Sequence, residues 1–320
     1  MFCWLMLAGL TCSLHGQSPL EYKGSLFRAD GSSSLESVSS VSVDPQTQEI
    51  CVTDLGSATL HVFNAKLVQE FETSRLSSLS RPMDAAIDAW GGFVLTDGVT
   101  ESGRTIKRLN YLGEPIPYEP ERPSEDWQPG HLLISHDGNY ITVDERTDLM
   151  VKHDSATGAL IWQRKVEDPL PDRQALLGRP VEAPDGRIYV PGGEFGKVFV
   201  FSPEGEIQTS FGEQGSGRGK LVFPVGVAIG PGETILVLDR MRHTVLIYDS
   251  DHRFVDEYSG FGDRPGGLYH PLSIASLSDG RVCVAQRFRS RVQFFHVEQG
   301  LSRSDGAWVI SLAEPKEGTG

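Results

Sequence analysis

The chain predicts an all-β fold, a six-bladed β-propeller of four-stranded antiparallel blades, on three observations. Six short apolar runs end at residues 54, 97, 144, 192, 239 and 286, at steps of 43, 47, 48, 47 and 47. Turn residues separate β-rich stretches inside each unit, and a period of roughly 40–50 residues with that composition marks a propeller blade. In the clearest unit four strands can be counted, 223–229, 235–239, 244–248 and 253–258, with turns at 230–233 and 249–252.

Strand counting also predicts how the ring closes. The final unit supplies only three strands, 272–276, 281–285 and 291–297. The segment 21–27 resembles the outer strand 257–261 of the preceding unit, so the N-terminal strand is expected to complete the last blade. Residues 307–312 are the rival for that slot. The propeller is assigned to 20–300 and a C-terminal tail, with room for one extra strand, to 301–320. The Pro- and Glu-rich stretch 113–126 reads as a long loop between the second and third blades.

Composition narrows the partners. Of the 320 residues 39% are hydrophobic, enough for sheets packed face to face, and the net charge is −14. No Lys/Arg-rich run breaks that acidity, which argues against nucleic acid and against adhesion to anionic membranes. The apolar stretch 2–14 is too short to span a bilayer, and small and polar residues follow it. Residues 1–17 are therefore expected to be a signal peptide, although no Lys or Arg precedes the apolar core, and the protein to be secreted or periplasmic, without an integral membrane span and acting as a monomer. Lipidation at Cys12 is the lesser alternative, because Gly9, Leu10 and Thr11 fit a lipobox poorly. Cys51 and Cys283 share one strand position in blades that become neighbours on closure. Sheets pack roughly 10 Å apart, beyond the reach of a disulfide, so both are expected as buried free thiols.

Asp54, Asp97, Asp144 and Asp239 recur at the register point, yet each sits a blade apart from the next and cannot converge on one ion. Their expected role is to cap the following turn. A site is expected instead where inner strands face the central channel. Alignment of those strands gives the ring Ser40, Asp84, His131, Gly226 and Ser273, with Glu182 or Arg179 from the fourth blade. Asp84, His131 and Glu182 would suit one divalent cation; the favoured reading has no cofactor and no metal. A second candidate is a basic loop patch of Arg240, Arg242, Arg287, Arg289 and Arg291 in equivalent loops of the fifth and sixth blades. No Gly-x-Ser-x-Gly elbow occurs, and His61, His153, His243, His252 and His296 fall on outer strands or turns where exposure is expected.

The segment 223–249 (FPVGVAIGPGETILVLDRMRHTVLIYD) resembles an NHL repeat, as do 270–297 and, more loosely, 38–71, 81–112 and 178–211. The stretch 156–162 instead resembles the outer strand of quinoprotein-type propeller repeats. The likeness covers most of 20–297 and implies the fold, while saying little of function. Peptidylglycine amidating lyases, which resemble this chain in fold, bind zinc through Pro-His pairs. Here the residues after the corresponding prolines are Met83, Gly130, Val181, Val225 and Leu272, so the resemblance implies no such zinc site. Lactonase-type propellers hold calcium through Glu, Asn and Asp, and the three asparagines here, Asn64, Asn110 and Asn139, read as turn or outer-strand positions. The expected function is an exported binding or scaffold module for a protein, peptide or glycan. The alternative is a metal-dependent hydrolase or lyase centred on Asp84 and His131.

Overall fold

In the computed structural model, which describes residues 18–26, 35–73, 79–98, 103–166, 174–297, 301–304 and 307–310, six four-stranded antiparallel sheets stand around a central channel. The innermost strands are Val38–Val43, Pro82–Ile87, His131–Ile134, Val181–Glu182, Pro224–Ile229 and Pro271–Ser276. The second strands are Ile50–Asp54, Phe93–Asp97, Tyr140–Asp144, Ile188–Gly192, Ile235–Asp239 and Arg281–Gln286, so the repeated apolar runs are one strand of each blade. Five of these six are buried at every position, and the sixth at all but its first. A strand covered on both faces needs no polar alternation, which is why these segments read as continuous apolar runs.

The core is divided among the interfaces between neighbouring blades. Six buried apolar clusters occur among the described residues, one at each interface. One joins Val41, Ile50, Val52 and Phe63 of blade 1 to Cys283, Ala285, Val292 and Phe294 of blade 6, so the first and last repeats pack together like any other pair. The last blade runs Leu20–Ser25, Arg291–Val297, Arg281–Gln286, Pro271–Ser276 across its sheet. The N-terminal strand therefore closes the ring. Its rival, Ala307–Ile310, pairs with Leu301–Ser304 in a separate hairpin. Residues 1–17, including Cys12, lie outside the described residues, as do 311–320.

Cys51 and Cys283 are buried and free, in different interfaces, and burial pushes the Cys283 thiol up to about 12. Among the described residues no helix is long and apolar enough to cross a membrane. The stretch 113–126 is more ordered than a loop. Pro115–Ile116 forms the outer strand of blade 2, and the segment beyond it is anchored where Tyr118 meets Tyr140 edge-on at 5.6 Å and Trp127 is buried against His153 at 5.3 Å.

A repeated irregularity aims the inner strands. In blades 1, 2, 5 and 6 the register slips just before the channel position, between Val38 and Ser40, Pro82 and Asp84, Pro224 and Gly226, and Pro271 and Ser273. A bulge re-orients the side chain that follows it, and here it turns Ser40, Asp84 and Ser273 toward a common axis.

Candidate functional site

The channel ring is assembled as a hydrogen-bonded plug. The Ser40 hydroxyl donates to Asp84 Oδ1 at 2.7 Å and lies 3.3 Å from the Ser273 hydroxyl, which donates to the Val41 carbonyl at 3.0 Å. Asp84 Oδ1 also accepts from the Ala85 N–H at 3.0 Å. Its Oδ2 accepts from the Leu132 N–H and from Arg179 Nε, both at 2.9 Å. Arg179, not Glu182, is thus the residue that blade 4 sends to the ring.

Glu182 pairs with Ile188, the register that places Ile87 opposite Phe93 and Ile134 opposite Tyr140, so it lies at the far end of its strand. There it accepts from the His136 N–H at 2.7 Å, and burial pushes its carboxyl up. The local cause is Pro191, which has no N–H to offer the inner strand. The chain before Val181 turns aside to blade 5, where the Arg179 N–H donates to the Val225 carbonyl at 3.0 Å and Arg179 bridges Gly226 in parallel. Gly178 permits that approach, since a Cβ there would stand 2.4 Å from the Val225 oxygen.

These contacts do not bring Asp84, His131 and Glu182 together as one set of ligands. Glu182 is at the wrong end of the strand, and both Asp84 oxygens are already engaged, one by a buried guanidinium. A cation would have to displace Arg179 and desolvate beside its charge. Among the described residues no group of three or more His, Cys, Asp or Glu side chains is placed to hold a metal ion.

His131 faces the channel mouth, with Nε2 4.0 Å from Glu145 Oε2. Burial lowers its affinity for a proton, while Glu145 and Asp84 work the other way. The mouth is shaped by the register-point aspartates. Asp239 accepts from the N–H groups of Val222, Phe223, Met241 and Arg242 at 2.6–3.1 Å, tying the loop that enters the blade to the turn that leaves its second strand. Asp54 does the same with Glu36, Ser37 and Gly56, and Asp144 with Gln128 and Arg146. The expected turn cap is therefore also a staple between loops.

The basic patch divides by its offset from the register point. Arg240 and Arg287 come one residue after it, as does Glu145, and the charges of Glu145 and Arg287 both act on Arg240. Arg242, three residues after it, forms a half-buried pair with Glu257 at 2.9 Å and donates to the Lys220 carbonyl. Arg289 pairs with Asp263, and Arg291 donates to the carbonyls of Asp263, Arg264 and Gly267. Arg242, Arg289 and Arg291 are thus occupied holding loops. Arg240 lies 4.8 Å over the Phe223 ring, and neither it nor Arg287 forms an ion pair among the described residues. Burial pushes the Arg240 guanidinium below its usual value; Glu145 opposes this and Arg287 adds to it.

Phe223, Arg240, Met241, His270, Leu272 and Arg287 line a cavity of about 230 Å³ at this mouth. Beside it His243, Phe261, Tyr269, His270 and Phe288 form one aromatic cluster, with centroids 4.5–5.6 Å apart between touching rings. Met241 is 56% exposed, Phe261 68% and Phe288 46%. Sequence reasoning missed Glu145, Phe223, Met241, His270, Leu272 and the rings. The offset was the available signal, since Met241 and Phe288 both fall two residues past the register point. His61 and His153, expected in solvent, are buried, because a third strand is covered by the next blade; His61 bonds Thr59 and His153 bonds the Glu121 carbonyl, both at 2.8 Å.

Comparison with known proteins agrees on the architecture. A family model described as a 6-bladed β-propeller matches residues 174–259, which span blades 4 and 5. Protein brain tumor of Drosophila melanogaster is 26% identical over 120 residues, 35% of this chain and 12% of that protein. RING finger protein nhl-1 of Caenorhabditis elegans is 31% identical over 72 residues, 22% of this chain and 7% of that protein. This chain thus matches only a small part of either relative's length. A streptogramin B lyase structure superposes with a TM-score of 0.60 at 11% identity, covering 87% of this chain and 98% of that one. An auxiliary nutrient binding protein from Bacteroides ovatus gives 0.62 at 13% identity, covering 87% and 77%. One of these two is a lyase and the other a binding protein, so structural likeness carries the fold alone. Taken together, the ring of blades, the family model and the two NHL-repeat relatives identify the chain as a six-bladed β-propeller similar to those of NHL-repeat proteins.

Proposed function

We propose that this propeller is an exported binding or scaffold module that captures a protein, peptide or glycan on the loop face of blades 5 and 6. The observation that carries the reading is the aromatic cluster of Phe261, Tyr269, His270 and Phe288, its two phenylalanines exposed, running into the cavity beside Arg240 and Arg287. Exposed rings next to arginine are the composition of an interface centre, where a few such residues supply most of the binding energy. The channel itself favours no reaction there, because its carboxylate is consumed by Ser40, Ala85, Leu132 and Arg179. Export rests on the leader-like residues 1–17.

Cross-linking of the intact chain in its native extract, followed by mass spectrometry, tests the reading. Capture of a defined partner should saturate, vanish in Phe261→Asp/Phe288→Asp, and persist in Trp90→Asp and Ile207→Asp, which alter exposed apolar residues elsewhere. Equal capture by all three variants would remove this face from the function.

A further inference from the structure

We infer that the cavity bounded by Phe223, Arg240, Met241, His270, Leu272 and Arg287 is a subsite for a carboxylate joined to an apolar group, as at the free C-terminus of a peptide ending in an apolar residue. This rests on the binding-module reading and deepens it by naming the chemistry recognised.

Two guanidiniums border the cavity from the same position of consecutive blades, and neither meets a carboxylate at ion-pair distance among the described residues. The other three arginines of the patch, Arg242, Arg289 and Arg291, are satisfied by Glu257, Asp263 or backbone carbonyls, so Arg240 and Arg287 are the two of the five left to the cavity. Arg240 is also half-buried, so water compensates its charge only in part, and Arg287 is a like-charged neighbour. An anion placed between them relieves both costs. Arginine forks match a planar carboxylate with two parallel hydrogen bonds.

The rest of the lining selects which anion. Phe223, Met241 and Leu272 supply apolar wall, so a bare inorganic ion would leave that surface wet. Glu145 acts on Arg240 from across the mouth and penalises a dianion more than a monoanion. The volume, about 230 Å³, is below the roughly 300–1,000 Å³ of sites that enclose a whole ligand, so one end of a longer molecule enters while the remainder lies over Phe261 and Phe288.

Calorimetric titration of the full chain with N-acetyl-Ala-Ala-Phe, its C-terminal amide, N-acetyl-phenylalanine and inorganic phosphate tests this. The tripeptide acid should bind at least about tenfold more tightly than its amide, as expected for a lost charge-assisted pair. Arg287→Gln, at an exposed position, should erase that difference, and Arg287→Lys should keep part of it. N-acetyl-phenylalanine matching the tripeptide would place recognition in the terminal residue alone, and weaker binding would locate the rest on the aromatic cluster; either supports the subsite. Equal binding of acid and amide, phosphate binding as tight as the acid, or no binding of any probe by the folded wild type would overturn it. Any of these would leave capture dependent on Phe261 and Phe288 standing, so the two readings fail separately.

Discussion

Arg179 of blade 4 reaches over blade 3 to Asp84 of blade 2, with Nε 2.9 Å from Oδ2 and both side chains buried. The bond locks non-adjacent blades together at the channel axis and converts what a propeller could use as a polar site into a structural rivet. Its two partners are not equally dependent on it. Asp84 keeps the Ser40 hydroxyl and the Ala85 and Leu132 N–H groups if Arg179 is lost, whereas Arg179 loses its carboxylate partner if Asp84 is lost. Asp84→Ala should therefore cost about 3–5 kcal/mol, as for a broken buried pair, and Arg179→Met about 1–3 kcal/mol. Urea unfolding measures both, and equal costs would contradict the asymmetry.

The Asp239 staple makes a second prediction. Its carboxylate collects four backbone donors from two loops, and Asp239→Ala leaves all four to find water or remain unmet. A loss of at least about 2 kcal/mol is expected. Faster amide exchange should appear at Met241 and Arg242 before the rest of blade 5 loosens. Exchange unchanged at those two amides would show that the turn holds without the staple.

Acid should weaken the fold through its buried histidines. Burial lowers the proton affinity of His131 and His153 in the folded protein, while in the unfolded chain histidine titrates near pH ~6.5. Below that value the unfolded state binds more protons, so stability falls as pH drops from about 6.5. Replacing His153 by Gln keeps a donor for the Glu121 carbonyl and removes one titrating group. The decline between pH 6.5 and 5 should become shallower in that variant; an identical decline would assign it to other groups.

Ring closure depends on Phe295, whose ring meets Tyr22 of the N-terminal strand at 6.0 Å and Tyr258 of blade 5 at 5.3 Å. Phe295→Ala should cost about 3–5 kcal/mol by opening a cavity where three strands meet. Proteolysis should then begin in the N-terminal strand, which depends on this contact and on pairing with Arg291–Val297. A first cut elsewhere would show that the closing strand is held by hydrogen bonding alone.

The amino-acid sequence by itself determined the number of blades and the four-stranded plan of a blade, because those follow from periodicity and from local strand and turn chemistry; the closed ring decided between the N-terminal strand and its rival, and placed Pro115–Ile116 as the outer strand of blade 2. Ser40, Asp84, His131 and Ser273 were legible as inward-facing for the same reason. Glu182 was not separable from Arg179, since Pro191 diverts the inner strand of blade 4 to pair with blade 5, and that choice belongs to two blades at once. The five arginines of blades 5 and 6 look alike in sequence. Only the packed ring decided that Arg242, Arg289 and Arg291 would be consumed while Arg240 and Arg287 were left facing a cavity, because the partners that satisfy the first three lie in the outer strand of blade 5 and in the loops entering blades 5 and 6, many residues away along the chain. Local composition sets which groups are present; the distance between them is a property of the closed ring.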